Sequence, residues 1–256
     1  VSAVADAELL DLAVEAARGA GALLLERYRH GARGVATKSS PTDPVSEADL
    51  AAERAIRELL RARRPDDAIV GEEGDDLPGS SGLRWVVDPL DGTVNYLFGL
   101  PQWAVSIACE GRVGVVLDPV RDELFAVAAG EPPTLNGEPL PVPQRTAELG
   151  TALVATGFGY DTEVRARQAA VVARLLPRVR DIRRMGSAAL DLAWTAAGRY
   201  DAYYERGVQP WDVAAGTMLC GAAGLDVRAL APAGGLAAGW LVAAPAIADE
   251  LAELVG

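Results

Sequence analysis

The chain has 256 residues, half of them hydrophobic, with 36 acidic against 24 basic side chains, a net charge of −12. That balance argues against a nucleic-acid or anionic-membrane surface, which needs a basic face, and a single histidine, His30, excludes every metal site built on two histidines. Two cysteines, Cys109 and Cys220, support neither a thiolate zinc site nor a disulfide framework, and Lys38 is the only lysine among the 24 basic residues. In chain order, residues 6 to 29 place Leu9, Ala13, Ala16, Ala20 and Leu23 at helical spacing and predict a long first helix with Asp6 as its cap. Ser46 precedes a second apolar period at Leu50, Ile56, Leu59 and Leu60, the mark of a helix capped at Ser46. Residues 68 to 71 and 84 to 87 read as short buried strands, each running into acidic residues. From 103 to 129 an antiparallel meander is expected, with turns at 110–112 and 119–122, and Asn136-Gly137 marks another turn.

Beyond about residue 145 the pattern changes to alternation: strand 151–155, helix 164–176, strand 179–183, helix 187–197, strand 201–205, helix 212–223 and strand 240–243. The apolar stretch 236–247 is broken by Gly and Pro and is shorter than the roughly 20 residues a membrane span needs. The acidic, amphipathic opening segment is unlike a secretory signal, and free thiols suit the cytoplasm, the expected compartment. The chain is thus read as α/β, an α+β part over residues 1–145 and an α/β part over 146–256, as two subdomains with a cleft between them.

Acidic side chains cluster where strands end. Glu72 and Glu73 follow one predicted strand, and Asp88 and Asp91 follow the next in Trp85-Val-Val-Asp-Pro-Leu-Asp-Gly-Thr93. Carboxylates and a backbone carbonyl such as that of Leu90 are hard oxygen ligands, which select Mg²⁺, Mn²⁺ or Ca²⁺ over zinc. A cation also relieves the repulsion that several close carboxylates would otherwise suffer. Gly92 and Thr93 follow directly, and a Gly-Thr step opening a helix offers N–H groups suited to a phosphate. Each residue also has a purely structural reading: a solvated acidic loop for the Asp-Gly turn, helix caps for Asp49 and Thr93, dipole compensation for Asp212, core packing for Trp211. Arg183 and Arg184 have two readings, an approach to the substrate or, as is more usual for a strand-end arginine, pairing with a surface acid.

The stretch Asp88-Pro-Leu-Asp-Gly-Thr93-Val-Asn95, with Gly71-Glu72-Glu73 upstream and Gln209-Pro-Trp211-Asp212 downstream, resembles the inositol monophosphatase family of magnesium-dependent, lithium-sensitive phosphatases. The match continues in order through Lys38-Ser-Ser-Pro41, Val45-Ser-Glu-Ala-Asp49, Gly186-Ser-Ala-Ala189 and Asp201-Ala-Tyr-Tyr-Glu205. The resemblance implies a layered αβαβα sandwich, also that of the fructose-1,6-bisphosphatases, and a homodimer acting on a small phosphorylated substrate. It implies two to three Mg²⁺ ions, with Mn²⁺ as an alternative: Glu72, Asp88 and the Leu90 carbonyl around the first, Asp88, Asp91 and Asp212 around the second, and a third beside Glu72. Asp49 and Thr93, together with Glu72, would activate the attacking water. Asp91, Gly92, Thr93, Gly186, Ser187, Ala188, Glu205 and Asp212 would contact the substrate, with Lys38 and Glu73 behind them. The implied substrate is myo-inositol monophosphate. Fructose 1,6-bisphosphate, histidinol phosphate and 3′-phosphoadenosine 5′-phosphate are the alternatives within the superfamily, and a non-catalytic interaction protein on the same fold is the alternative of another class.

Overall fold

The computed structural model describes residues 5–30, 35–37, 44–141 and 145–256. Helix α1 (Asp6–Arg29) buries Leu9, Leu12, Ala13, Ala16, Ala20 and Leu24, which recur every three or four residues along one stripe. Asp6 does not cap it: Ala5 holds the cap position without a side-chain bond, and the Asp6 carboxylate lies in the first turn, paired with Arg112. Strands β1 (Val35–Thr37) and β2 (Pro44–Ser46) form a small antiparallel pair, and α2 (Glu47–Arg63) starts directly after it. Lys38 and the Ser46 side chain lie outside what is described.

A seven-stranded sheet follows, in chain order along its width: β3 (Ala68–Gly71), β4 (Arg84–Asp91), β5 (Ala104–Cys109), β6 (Val113–Asp118), β7 (Glu123–Ala128), β8 (Thr134–Leu135) and β9 (Glu138–Pro139), with α3 (Thr93–Leu97) between β4 and β5. Only β3 and β4 pair in parallel. The expected meander is β5 to β7, and Asn136-Gly137 turns β8 into β9. The second part comprises β10 (Leu153–Thr156), α4 (Thr162–Leu175), β11 (Asp181–Arg183), α5 (Ala188–Ala196), β12 (Ala202–Arg206), α6 (Pro210–Ala222), β13 (Asp226–Leu230), β14 (Gly239–Ala243) and α7 (Ala248–Val255). Its five strands are ordered β11-β10-β12-β14-β13, the first three parallel and β14 antiparallel to both neighbours.

Alternation along the strands divides the interior into three apolar layers. Val105, Ile107, Val113, Val115 and Leu117 point towards α1 and α2, while Ala108, Val116, Phe125 and Val127 point the other way, into a layer filled by α5 and α6. On the second sheet Tyr203 and Val242 join that middle layer, and Val154, Tyr204 and Leu241 face α4 and α7. The order is α, β, α, β, α. Helix α6 approaches the first sheet closely at Gly114, where a Cβ would sit 3.1 Å from the Ala215 backbone. Ser106 Oγ donates to the Trp211 carbonyl at 3.3 Å and fixes the start of that helix over the sheet. Among the described residues no helix is long and apolar enough to cross a membrane.

Candidate active site

The acids meet because β4 is irregular. Asp88 pairs with Ser106 and Asp91 with Ala104, so three steps on β4 match two on β5, and one extra residue is accommodated at Pro89-Leu90. In a regular strand residues three apart face opposite sides; the bulge turns Asp88 and Asp91 to the same side. Asp212, in the first turn of α6, completes the group, with carboxylate oxygens of all three within 4.8 Å of one another. Its Oδ2 accepts the Gln209 N–H at 2.7 Å, which locks its rotamer. Asp91 Oδ2 accepts from Ser187 Oγ at 2.6 Å and from the Ala189 N–H at 2.7 Å, at the start of α5. Two helix N-termini, each carrying partial positive charge, thus hold two of the acids.

Thr93 sits at the head of α3 after Gly92, whose φ of +96° is the left-handed conformation glycine tolerates. A Cβ on Gly92 would meet the Gln102 carbonyl at 2.9 Å. The Thr93 hydroxyl lies 2.9 Å from Asp49 Oδ1 and 3.1 Å from the Leu90 carbonyl, and Asp49 is fully buried. Tyr96 anchors this short helix to α1 through its hydroxyl, 3.0 Å from the Leu24 carbonyl.

Asp88, Leu90, Asp91, Gly92, Thr93 and Asp212 line a cavity of about 1060 Å³. Gly186, Ala188, Glu205, Arg184 and the 157–160 loop line it as well, whereas Asp49 is not part of the lining. Glu72 also lines the cavity, hydrogen-bonded to Asp88 but outside the three-acid group. Ser187, expected in a substrate-contacting turn, is buried with its hydroxyl committed to Asp91. Glu73 is absent from the cavity lining, and its backbone N–H donates to Glu53 Oε2 at 2.7 Å. The two arginines part company: Arg183 pairs with Asp181 at 2.6 Å, as a strand-end cation is expected to, whereas Arg184 enters the cavity wall over the Phe158 ring, 5.8 Å from its centroid. Trp211, read as core, lines the cavity instead; Pro210 at the head of α6 was the signal that Trp211 is already helical, while the side it faces is set by packing. Cys109 and Cys220 are buried free thiols, as expected of small core residues.

Burial, and then the charges of Glu72, Asp91 and Asp212, push the Asp88 carboxyl well above the usual carboxylate range. Burial likewise raises Asp212, with Asp91 adding to it. Asp91 is pushed up to about 6 by burial, against the hydrogen bonds from Ser187 and Ala189. Glu205 is pushed up to about 7 by burial, partly opposed by the hydrogen bond from the Tyr203 hydroxyl at 3.1 Å. A buried, oxygen-only group of acids that repel one another fits a hard divalent cation. Because their pKa values are raised on folding, these acids favour the metal-free fold below the ordinary carboxylate range, and that contribution is lost as pH rises through about 6 for Asp91. Mg²⁺ binding at pH 6 is therefore expected to release protons, and fewer at pH 8. Calorimetric titration in buffers of different ionisation heat checks this: a binding heat independent of buffer at pH 6 would contradict the shared-proton picture.

The family model for the inositol monophosphatase family matches residues 5–255. The chain belongs to this family. It is 44% identical over 259 residues to the inositol-1-monophosphatase SuhB of Mycobacterium tuberculosis, covering 94% of this chain and 89% of that one. It is 44% identical over 222 residues to a protein named Nus factor SuhB in Pasteurella multocida, covering 84% and 83%. The crystal structure of the extragenic suppressor protein suhB from Bartonella henselae superposes with a TM-score of 0.87 at 33% identity, over 97% of this chain and 98% of the other.

Proposed function

We propose that this family member hydrolyses a small phosphomonoester, myo-inositol monophosphate first among them, with Mg²⁺. The observation that carries the reading is the convergence of Asp88, Asp91 and Asp212 beside Thr93 in one cavity, with buried Asp49 holding the Thr93 hydroxyl. Glu72, Asp88 and the Leu90 carbonyl would hold one ion, Asp88, Asp91 and Asp212 a second, and Glu72 would support a third. Bound Mg²⁺ would supply Lewis-acid activation of water and neutralise charge on the phosphoryl oxygens. Asp49 accepts the Thr93 hydroxyl proton and so leaves the Thr93 oxygen free to orient the attacking water and draw on its proton. Gly92 and Thr93 present backbone N–H groups to the phosphate at the turn that opens α3. Glu205, its carboxyl pushed up to about 7, and the turn at Gly186 and Ala188 suit the hydroxyls of a polyol. No histidine, serine or cysteine nucleophile is required, in keeping with a chain that has one histidine at the end of α1. A cytoplasmic homodimer is proposed with the same reading.

A non-catalytic interaction role on the same fold is the alternative; the filled carboxylate positions favour catalysis, and the two roles are compatible. Comparing kcat/KM for inositol 1-phosphate, fructose 1,6-bisphosphate, histidinol phosphate and 3′-phosphoadenosine 5′-phosphate tests the assignment. Inositol 1-phosphate is expected to lead by about tenfold or more, roughly 1.4 kcal/mol of transition-state discrimination. A lead by another substrate would reassign the enzyme within its superfamily, and no turnover of any would favour the interaction role.

A further inference from the structure

Helix α2 carries Asp49, Glu53 and Arg57 four residues apart, on one face. Asp49 holds Thr93; the next two side chains serve the loop that follows β3. Glu53 is 2% exposed, and its carboxylate accepts Arg57 Nε at 2.6 Å and the Glu73 N–H at 2.7 Å. Arg57 spends its remaining nitrogens on the same loop, donating to the Asp75 carbonyl at 2.9 Å and the Gly74 carbonyl at 3.2 Å. The loop closes tightly on the pair, since a Cβ on Gly71 or Gly74 would lie 2.7 or 2.8 Å from Glu53 Oε1. A buried ion pair is weakly stabilising at best, because desolvation offsets the attraction. Here its spare hydrogen-bonding capacity goes to the backbone of one short segment, and that segment carries Glu72.

We propose that Glu53 and Arg57 are positioning residues that hold the Glu72 loop against Asp88 and thereby set the affinity for the divalent cation. The inference rests on the metal-centre reading above. It makes one face of α2 responsible for both halves of the site, Thr93 through Asp49 and Glu72 through the Glu53–Arg57 pair. Partners that orient metal ligands typically change metal affinity by 10- to 100-fold when removed.

The test is Mn²⁺ binding to metal-stripped protein, followed by the paramagnetic resonance signal of the free ion, with activity measured in parallel. Arg57→Ala and Glu53→Gln are expected to raise the Mn²⁺ dissociation constant roughly 10- to 100-fold. Turnover should return to within about threefold of the wild type once metal saturates, because loop order, not a reacting group, has been lost. If Arg57→Ala does not fold, Arg57→Lys keeps the charge beside Glu53 without the fork that reaches both loop carbonyls, and carries the same expectation. Arg64→Ala is the control: it breaks the pair with buried Asp67 at the start of β3, 2.9 Å apart, and should lower the melting temperature with Mn²⁺ affinity unchanged. An unaltered dissociation constant in Arg57→Ala or Arg57→Lys, or an equal rise in Arg64→Ala, would overturn the proposal. Failure of the wild type to bind Mn²⁺ would instead overturn the metal-centre reading itself.

Discussion

Asp88→Asn is expected to abolish turnover and at the same time raise the melting temperature of the metal-free protein. Asp88 is 1% exposed and faces Glu72, Asp91 and Asp212, so in the absence of a cation its ionised form is opposed by burial and by three like charges. An amide of the same shape removes that cost. The effect has a sign in pH: the raised Asp88 carboxyl costs the fold nothing while protonated in both states, and the cost accumulates as pH rises above the ordinary carboxylate range towards its raised folded value. The gain in stability should therefore be larger at pH 8 than at pH 4. The same change removes a ligand assigned to both principal ions, and turnover should fall by at least about 10³-fold, roughly 4 kcal/mol. Calorimetry in EDTA and a phosphate-release assay in Mg²⁺ measure the two halves separately. Near-normal turnover would sink the two-metal assignment, and a lowered melting temperature at pH 8 would contradict the description of the acids as mutually repelling.

Thr93→Val separates water activation from metal binding. Valine keeps the β-branched shape at a position 8% exposed but lacks the hydroxyl that joins Asp49 to the Leu90 carbonyl. If Thr93 orients and deprotonates the water, kcat should fall roughly 10²- to 10⁴-fold, the usual range for such a group. Mn²⁺ affinity should stay within about twofold, since Thr93 ligates nothing. Taking one donor from a buried carboxylate also costs about 1–3 kcal/mol of stability, visible as a lower melting temperature. A loss of metal affinity matching the loss of kcat would move Thr93 from the water to the metal centre.

Much of the layered fold is written locally. The three-and-four spacing of α1, the alternation of β5 to β7 and the Asn136-Gly137 turn are short-range patterns, and the structure keeps them with shifts of a residue or two. What escaped are mainly elements whose signal is weak or tertiary. Strand β13 is an edge strand with mostly half-exposed side chains and shows no clear period; α7 is only eight residues long after a proline at 245, yet its stripe of Ala248, Leu251 and Val255 is legible in the sequence and was missed. The helix bearing Asp212 begins two residues earlier than the apolar pattern suggests, at Pro210, where proline's fixed φ suits the first helical position.

The site divides in the same way. The acids are visible in the sequence, but Asp88 and Asp91 lie inside β4, which runs four residues beyond the expected strand 84–87, and simple alternation would send them to opposite faces; only Pro89 hinted at the bulge that reunites them. Asp212 reaches the group through α6 packing on Gly114, a contact between distant segments that no local pattern encodes, so its place could come only from family resemblance. Glu53 and Arg57 had a readable signal, the spacing from Asp49 along α2, but their partner is backbone in another segment and leaves no mark on residue type.

On the proposed function, the buried carboxylates of this chain form a divalent-metal centre that hydrolyses a phosphomonoester. Phosphate release from inositol 1-phosphate by metal-stripped protein, followed as Mg²⁺ is added back, tests it most directly. Turnover should be absent without metal and rise to saturation with Mg²⁺, while Asp88→Asn stays at background throughout. Hydrolysis that persists in the stripped wild type, or a wild type silent at saturating Mg²⁺, would contradict it.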